Sequence, residues 1–266
     1  MRSAARATEA KATSASNAAK VRTGNIVPQT AGRRSGTLII PFGCADLRRM
    51  PARVSESYVL RTYPFRESDS IVSFFTRDQG KLRGVAYRAR KPKSNFGSGL
   101  ERLSLVNVSY SEKMTRELVT LNHCDLLQSQ FNLLSDFEAG VVLDYIAEVS
   151  DQLLPPHEPN ERFFRLLTAV LGFMHERTTG SVWTAATYFS LWATRLSGFL
   201  PPLETASQLS AESCAIGAAM LRTHIAELPN RIWTKDTALD LRRFLVQLME
   251  EHAERRFHTP ALLEAL

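Results

Sequence analysis

The stretch Ile71–Tyr87 has the sequence IVSFFTRDQGKLRGVAY and predicts a β-hairpin. The first half, Ile71–Thr76, is rich in the β-branched and aromatic residues that strands favour, and Lys81–Tyr87 is expected to return as the partner strand. Between them, RDQG at 77–80 has the form of a tight turn, with Gly80 at the position that requires a positive φ. This part of the chain is therefore expected to be β-structure.

Further short strands are predicted on both sides of the hairpin. SYVLRTY at 57–63 precedes it and is expected to stop at Pro64, while LSLVNVSYSE at 103–112 and ELVTLNHC at 117–124 follow it. Five strands in about 70 residues, separated by short turn signals, suit a small closed barrel better than a large sandwich. The interpretation is a barrel of the oligonucleotide-binding (OB) type over residues 54–130.

After Cys124 the spacing of apolar residues changes to that of helices. Ser135 or Asp136 is expected to cap the first helix. Its predicted buried side carries Phe137, Val141, Tyr145, Val149 and Leu153, and its polar side carries Glu138, Asp144, Glu148 and Asp151. Later helices are expected to begin at Asn160 and Ser181 and to cover about 210–228 and 235–256, which predicts an all-α bundle over residues 131–266. The fold class is α+β.

The N-terminal region, residues 1–53, differs from both of these parts. It is rich in Ala, Ser and Thr, and it has no periodic apolar face that could bury enough surface to offset the entropy of ordering. We therefore predict a disordered basic tail. Three interpretations remain open: a weak transit-peptide pattern, a tail that adds affinity for phosphates, or sequence upstream of a start at Met50.

The charge of the chain is strongly polarised. Residues 1–50 carry nine Lys/Arg and two acids, and residues 51–120 carry thirteen against seven. Residues 121–266 carry eleven Lys/Arg against eighteen acids. A basic front and an acidic back predict an acidic partner for the barrel and a different kind of partner for the bundle.

The most basic stretch of the barrel, Arg77–Phe96, is the candidate nucleic-acid site. A solvated surface is the simpler interpretation of such a run, but small barrels of this type present strands and loops to single strands. Tyr87 and Phe96 either stack on bases or fill the core. We expect binding without base readout, because no recognition helix is present. The residues expected to neutralise phosphates are Lys81, Arg83, Arg88, Arg90, Lys91 and Lys93.

Catalytic and metal-binding patterns are weak. His123, Cys124 and Asp125 are consecutive, so on a strand they cannot converge. Glu67 and Asp69 are better explained by turn chemistry than by a metal. The chain has no nucleotide-binding glycine loop, and its three cysteines form no CxxC pair. We therefore predict a non-enzymatic protein without cofactor or metal. Neither a membrane span nor a secretory signal is evident, which predicts a cytoplasmic location.

The order of several short motifs resembles that of the RecO family, bacterial DNA repair proteins that mediate recombination. The matching elements are Glu67-Ser-Asp69, Phe75-Thr76, Gly80-Lys81, Ser94-Asn-Phe96-Gly97, Leu100-Glu101, Tyr145-Ile-Ala-Glu148, Leu196 to Pro201 and Arg255-Arg256-Phe257. The resemblance implies an OB barrel and a helical domain that bind single- and double-stranded DNA and anneal complementary strands. It further implies action with RecR to load RecA onto DNA coated by single-strand DNA-binding protein, in the nucleoid.

The resemblance also implies that the helical domain binds the acidic C-terminal tail of single-strand DNA-binding protein. An apolar groove with basic neighbours would serve, and the candidates are Trp192, Arg195, Arg242 and Arg243. Many family members carry a four-cysteine zinc module after the Gly-Phe-x-Pro turn, but this chain has only Cys214 there, so no zinc is expected. The alternatives left open are an interaction scaffold that binds no nucleic acid and an RNA-binding barrel.

Overall fold

The computed structural model describes residues 52–112, 117–176, 181–229 and 231–266. The tail predicted at 1–53 lies outside these residues, apart from its last two positions. In the described part of the chain, five strands are followed by six α-helices, so the predicted fold class is confirmed.

The strands close into a barrel in the order β1-β2-β3-β5-β4. Neighbouring strands are antiparallel, except that β3 and β5 pair in parallel through Gly84–Ala86 and Val119–Leu121. This order is that of an OB-type barrel. The strands are β1 (Arg53–Phe65), β2 (Asp69–Thr76), β3 (Gly80–Ala86), β4 (Leu105–Ser111) and β5 (Val119–Gln128).

Alternate residues of each strand fill the interior of the barrel, as the two-residue period of a strand requires. Val72 and Phe74 of β2 have no exposed surface, and Leu82 of β3 is 1% exposed. The same core contains Val59, Ala86, Phe96, Val106, Val108, Tyr110, Val119, Leu121 and Cys124. The predicted hairpin therefore provides one wall of a closed apolar core.

Pro64 does not end the first strand, which corrects the sequence prediction. β1 continues to Phe65, and Pro64 lies opposite Ser70 of β2. On its other side β1 pairs with β4 only from Arg53 to Tyr58. A proline beyond that point costs no ladder hydrogen bond, because it lies along an unpaired edge.

A β-bulge in β1 separates two parts of its outer face. Val59 pairs with Phe74, whereas Arg61 pairs with Ser73, so Leu60 is the extra residue. An extra residue shifts the alternation by one position. Before the bulge, the even-numbered residues Tyr58 and Leu60 lie on the outer face of the barrel. After the bulge, the odd-numbered residues of β1 lie on that face.

The six helices are α1 (Phe137–Leu153), α2 (Glu161–Glu176), α3 (Ser181–Leu196), α4 (Ala211–Arg222), α5 (Leu239–His252) and α6 (Thr259–Ala265). Asp136 caps α1 by accepting a hydrogen bond from the Glu138 amide at 2.9 Å, and Asn160 accepts one from the Phe163 amide at 3.0 Å. The fourth and fifth predicted helices were too long, since α4 ends at Arg222 and α5 begins only at Leu239.

Two expectations for α1 are wrong. Phe137 is 77% exposed, because the buried part of α1 begins only at Ala139. Glu148 is 6% exposed, because α1 contacts α6 as well as α3 and is enclosed on more than one side. The Glu148 carboxylate accepts hydrogen bonds from the amides of His258 and Thr259 and from the Thr259 hydroxyl, at 2.6 to 3.1 Å. It therefore anchors the N-terminus of α6.

These hydrogen bonds predict a pH-dependent stability. Burial raises the pKa of Glu148, but the bonds from Thr259 and His258 outweigh burial, and the pKa lies below its ordinary value. The carboxylate therefore stabilises the fold above the ordinary glutamate pKa, and this contribution is lost as pH falls through the lowered value. Glu148→Gln should reduce the free energy of unfolding by about 1–3 kcal/mol at pH 7.

Urea unfolding of the wild type and of Glu148→Gln at pH 7 and at progressively lower pH measures this difference. We expect the difference to begin to shrink below about pH 4.5, where glutamate in the unfolded chain becomes protonated, and to be lost once the pH falls below the lowered pKa of the folded state. Glu227→Gln, at an exposed position, is the control and should change little. A difference that stays constant down to acid pH would contradict the anchoring role.

The outer face of the barrel before the bulge packs directly on the helices. The ring of Tyr58 lies 4.9 Å from that of Phe164, and the ring of Phe75 lies 6.0 Å from that of Phe163, centroid to centroid. Tyr58, Leu60 and Phe75 belong to the same apolar core as the helices. The barrel and the helical domain therefore share a core.

The β2–β3 hairpin is joined to the end of α1 and to the segment that follows this helix. The amide of His157 donates to the Lys81 carbonyl at 3.0 Å, and the Ser73 hydroxyl donates to the Asp151 carboxylate at 2.6 Å. Gly80 has a φ of +74°, as the turn predicts, and a methyl group on its Cα would overlap the backbone of Glu158. Only glycine fits at this crossing.

Gly80→Ala should therefore lower the free energy of unfolding by more than about 2 kcal/mol, because it combines backbone strain with a backbone clash. Gly97→Ala is a matched control, since Gly97 also has a positive φ, +49°, but open space around its Cα. Urea unfolding of both variants separates the two effects. Equal destabilisation by the two substitutions would show that the close approach to Glu158 contributes nothing.

Candidate nucleic-acid interface

The loop after β3 carries four exposed cations, Arg88, Arg90, Lys91 and Lys93. We call these four residues the basic loop. None of them forms a salt bridge with another described residue. Their positive charge is therefore available to an anionic ligand.

Backbone contacts hold the start of the basic loop against the turn between β1 and β2. The Arg88 amide donates to the Asp69 carboxylate at 2.8 Å, and the Arg90 amide donates to the Ser68 carbonyl at 3.0 Å. Asp69 is 8% exposed, and its carboxylate accepts the hydrogen bond that holds the start of the loop. This agrees with the turn chemistry predicted from the sequence.

Two of the predicted interface residues have other roles. Phe96 is 4% exposed and belongs to the barrel core, so its ring is not available for stacking. The Lys81 ammonium donates to the backbone carbonyl of Asp151 at the end of α1, and burial lowers the pKa of Lys81. Lys81 therefore joins the barrel to the helical domain, and neither Lys81 nor Phe96 is part of the candidate interface.

Arg83 and Tyr87 are exposed, and Tyr87 retains 42% of its surface. Beyond the bulge, β1 and the residue after it add a surface beside Arg83 of β3, and of its members only Arg83 was named from the sequence. We call this surface the aromatic face: Arg61, Tyr63, Phe65, Arg66 and Arg83. The Tyr63 ring centroid lies 5.2 Å from the guanidinium of Arg61 and 6.0 Å from that of Arg83. The period-two spacing of Arg61, Tyr63 and Phe65 was visible in the sequence, but the bulge that sets their direction was not.

The basic loop and the aromatic face offer two kinds of contact. Lys and Arg side chains neutralise phosphates and release counterions, which does not depend on base sequence. Half-buried rings held beside guanidinium groups, here Tyr63 and Phe65, can contact the flat faces of bases. Because the loop is bound to the β1–β2 turn that also carries Arg66, the two surfaces are connected through the turn at Arg66–Asp69.

A second basic region lies on the helical domain. Four exposed arginines, one tyrosine and one tryptophan line a groove of about 710 Å³ that has no Asp or Glu in its wall. These residues are Arg162, Arg165, Arg195, Arg222, Tyr188 and Trp192. We call this the arginine groove. None of its four arginines forms a salt bridge with a described residue.

The aromatic floor of the arginine groove is fixed in place. The Trp192 indole donates to the Met220 carbonyl at 3.1 Å, and its ring lies 5.3 Å from the Arg195 guanidinium. The Tyr188 and Trp192 ring centroids are 6.1 Å apart. The groove therefore joins an apolar surface to unpaired positive charge.

The structure places Arg242 and Arg243 at another cavity, of about 260 Å³, and not beside Trp192. Arg242 is 7% exposed, donates to the Thr187 hydroxyl at 3.1 Å and the Thr237 carbonyl at 2.6 Å, and has a pKa that burial lowers to about 10. Arg243 donates to the Glu264 carboxylate at 2.7 Å. Arg242 therefore has a structural role, which corrects its assignment as a partner contact.

The residues considered for catalysis or metal binding do not form a site. His123 and Asp125 interact at 2.8 Å on the surface, whereas the Cys124 thiol is buried, and burial raises its pKa to about 12. Cys214 contacts the Leu203 carbonyl, and one cysteine does not provide the ligand set of a four-cysteine zinc module. Within the described residues, no three His, Cys, Asp or Glu side chains are grouped to hold a metal ion.

Among the described residues, no helix combines the length and apolarity that a membrane crossing requires.

Comparison with known proteins gives consistent matches over the barrel and the helical domain. Residues 50–130 match the family model described as Recombination protein O N terminal, and residues 134–208 match Recombination protein O C terminal. The DNA repair protein RecO of Koribacter versatilis is 38% identical over 242 residues, which cover 80% of this chain and 98% of that protein. The RecO of Geobacter metallireducens is 36% identical over 123 residues, 46% of this chain and 49% of the relative.

Proposed function

Because the chain belongs to the RecO family of DNA repair proteins, we propose that it is a recombination mediator that binds single- and double-stranded DNA through its barrel. The observation that carries the proposal is the basic loop, whose four exposed cations have no described acidic partner. Charge of this kind on an OB-type barrel suits a polyanion. Arg83 and Tyr87 extend the proposed surface.

The proposed mechanism is strand annealing without hydrolysis. Two complementary strands repel each other, and a protein that neutralises their phosphates lowers the barrier to their encounter. Since the basic loop offers cations and no base-reading helix, binding should be independent of base sequence. The protein would act as a mediator and not as an enzyme, at the nucleoid of the cytoplasm.

We assign partner binding to the helical domain, in particular to the arginine groove. Its apolar floor of Tyr188 and Trp192 and its unpaired arginines match the acidic, apolar C-terminal tail of single-strand DNA-binding protein. Of the four residues named from the sequence, Trp192 and Arg195 line this groove, and we add Arg162, Arg165 and Arg222. Displacing that protein while holding DNA on the barrel would let RecA be loaded together with RecR.

An annealing assay tests the proposed function. Complementary labelled oligonucleotides are mixed with and without the protein at low salt, and pairing is followed by fluorescence quenching. We expect pairing to accelerate several-fold and the acceleration to disappear at high salt. An equal pairing rate with and without protein would overturn annealing, and a preference for an RNA competitor would favour an RNA-binding barrel.

A further inference from the structure

We propose that the aromatic face is a stacking platform for unpaired bases, which lets the barrel distinguish single-stranded from double-stranded DNA. This inference rests on the proposed DNA binding and divides it between two surfaces. The basic loop contacts phosphates of either form. Tyr63 and Phe65 contact bases, which only a single strand presents.

The register of the sheet sets the positions of this platform. Arg61 of β1 pairs with Ser73 of β2, and Ser73 pairs with Arg83 of β3. These three residues form one row across the sheet, with an arginine on each side of Ser73. Tyr63 occupies the next row of the same face, opposite Ile71. Since alternate residues share a face, Phe65 follows on that face in the last row of β1.

The rings of the platform do not belong to the interior. Tyr63 and Phe65 are half-buried, and neither contributes to the two apolar cores that the described residues form. Before the bulge, the same outer face is covered by helices through Tyr58 and Leu60. Beyond the bulge, aromatic residues occupy positions that the core does not require.

Neighbouring arginines hold these rings in place. Tyr63 has the Arg61 guanidinium 5.2 Å and the Arg83 guanidinium 6.0 Å from its ring centroid, and Phe65 has that of Arg66 at 5.0 Å. A guanidinium beside a ring both orients it and provides a positive charge for the phosphate of a stacked nucleotide. This pattern of cations among rings is typical of surfaces that bind single strands.

A base contacts a protein ring only when its own face is free. In a duplex each base is stacked between its neighbours, so an aromatic platform gains no contact without unstacking. The platform therefore adds affinity for single strands alone. The platform lies next to the Arg66–Asp69 turn, and the basic loop is hydrogen-bonded to Asp69 of the same turn. A single DNA strand can therefore contact both surfaces.

The test compares three ligands of equal length: a single strand, a duplex and a single strand of abasic nucleotides. Replacing Tyr63 and Phe65 together by Leu keeps apolar bulk but removes the rings. We expect about 10-fold or more weaker binding of the normal single strand, with the duplex and the abasic strand changed less than about 2-fold. Tyr63→Phe retains a ring and should restore most of the affinity when Phe65 is kept.

Controls separate stacking from damage to the fold and from failure of DNA binding itself. Phe131→Leu with Phe137→Leu replaces two rings that are 70% and 77% exposed elsewhere, and should leave all three affinities unchanged. Equal losses for single strand, duplex and abasic strand would overturn the platform. So would a wild type that binds normal and abasic strands equally, a result that leaves the proposed DNA binding intact.

Discussion

Replacing the basic loop residues Arg88, Arg90, Lys91 and Lys93 by Ala should weaken binding of a single-stranded oligonucleotide by on the order of 10- to 100-fold near 0.1 M salt. The reason is that all four cations are exposed and have no described acidic partner, so each is free to displace a counterion from DNA. Losing four phosphate contacts should reduce the slope of log affinity against log salt by about 3. Fluorescence anisotropy titrations at several salt concentrations measure both quantities.

A control variant with the same change in net charge tests whether position matters. Arg231, Arg243, Arg255 and Arg256 are exposed on the helical domain, and replacing them by Ala also removes four positive charges. If non-specific attraction to the whole protein governs binding, both variants should weaken it equally. The basic loop assignment requires the control to retain most of its affinity and its salt slope.

Replacing Arg162, Arg165, Arg195 and Arg222 by Ala should abolish most binding of an acidic peptide that ends in apolar residues, with a loss of about 100-fold. The four arginines surround Tyr188 and Trp192 in a groove whose wall has no carboxylate to compensate them. Charge-assisted hydrogen bonds to carboxylates are worth about 1.5–3 kcal/mol each, so losing even two of them accounts for that factor. Anisotropy of a labelled peptide measures the change.

The two surfaces also make opposite predictions for the two ligands. The groove variant should still bind DNA, and the basic loop variant should still bind the peptide, because the residues belong to separate elements. Loss of peptide binding in the basic loop variant would place the peptide on the barrel instead. Unchanged peptide binding in the groove variant would show that the arginine groove is not the peptide-binding site.

The local features of the fold were predictable from the sequence. The hairpin at Ile71–Tyr87, the glycine turn at Gly80 and the helix caps at Asn160 and at Asp136, one of two residues proposed for that cap, follow from interactions between residues a few positions apart. The charge of the basic loop was equally visible, because exposed cations in a Gly- and Ser-rich segment need no tertiary information.

The remaining features depend on contacts between distant residues. Lys81 and Phe96 are of the residue types expected at a nucleic-acid interface. However, the Lys81 ammonium donates a hydrogen bond to the end of α1, and the Phe96 ring packs in the barrel core. Glu148 is polar but buried, because α6 provides amides 110 residues further along the chain. The spacing of apolar residues within one segment does not indicate which residues from distant segments will contact it.

The bulge at Leu60 is the clearest example of this limit. Without it, the register would turn Arg61, Tyr63 and Phe65 toward the opposite side of the sheet. The sequence therefore indicated a strand with an apolar alternation but not which ring faces solvent. The arginine groove was likewise hidden, because its four arginines come from three helices, and only Arg195 lies close in the chain to Trp192, one of the two rings of the groove.

We propose that the barrel binds DNA mainly through phosphates, and the salt dependence of single-strand binding by the intact wild type is the most direct test of this binding mode. With about four to six phosphates neutralised, log affinity should fall against log salt with a slope of about −3 to −4. The sequence of the oligonucleotide should change the affinity little. Absence of binding even at low salt, or binding that is insensitive to salt, would contradict DNA binding through phosphate contacts on the barrel.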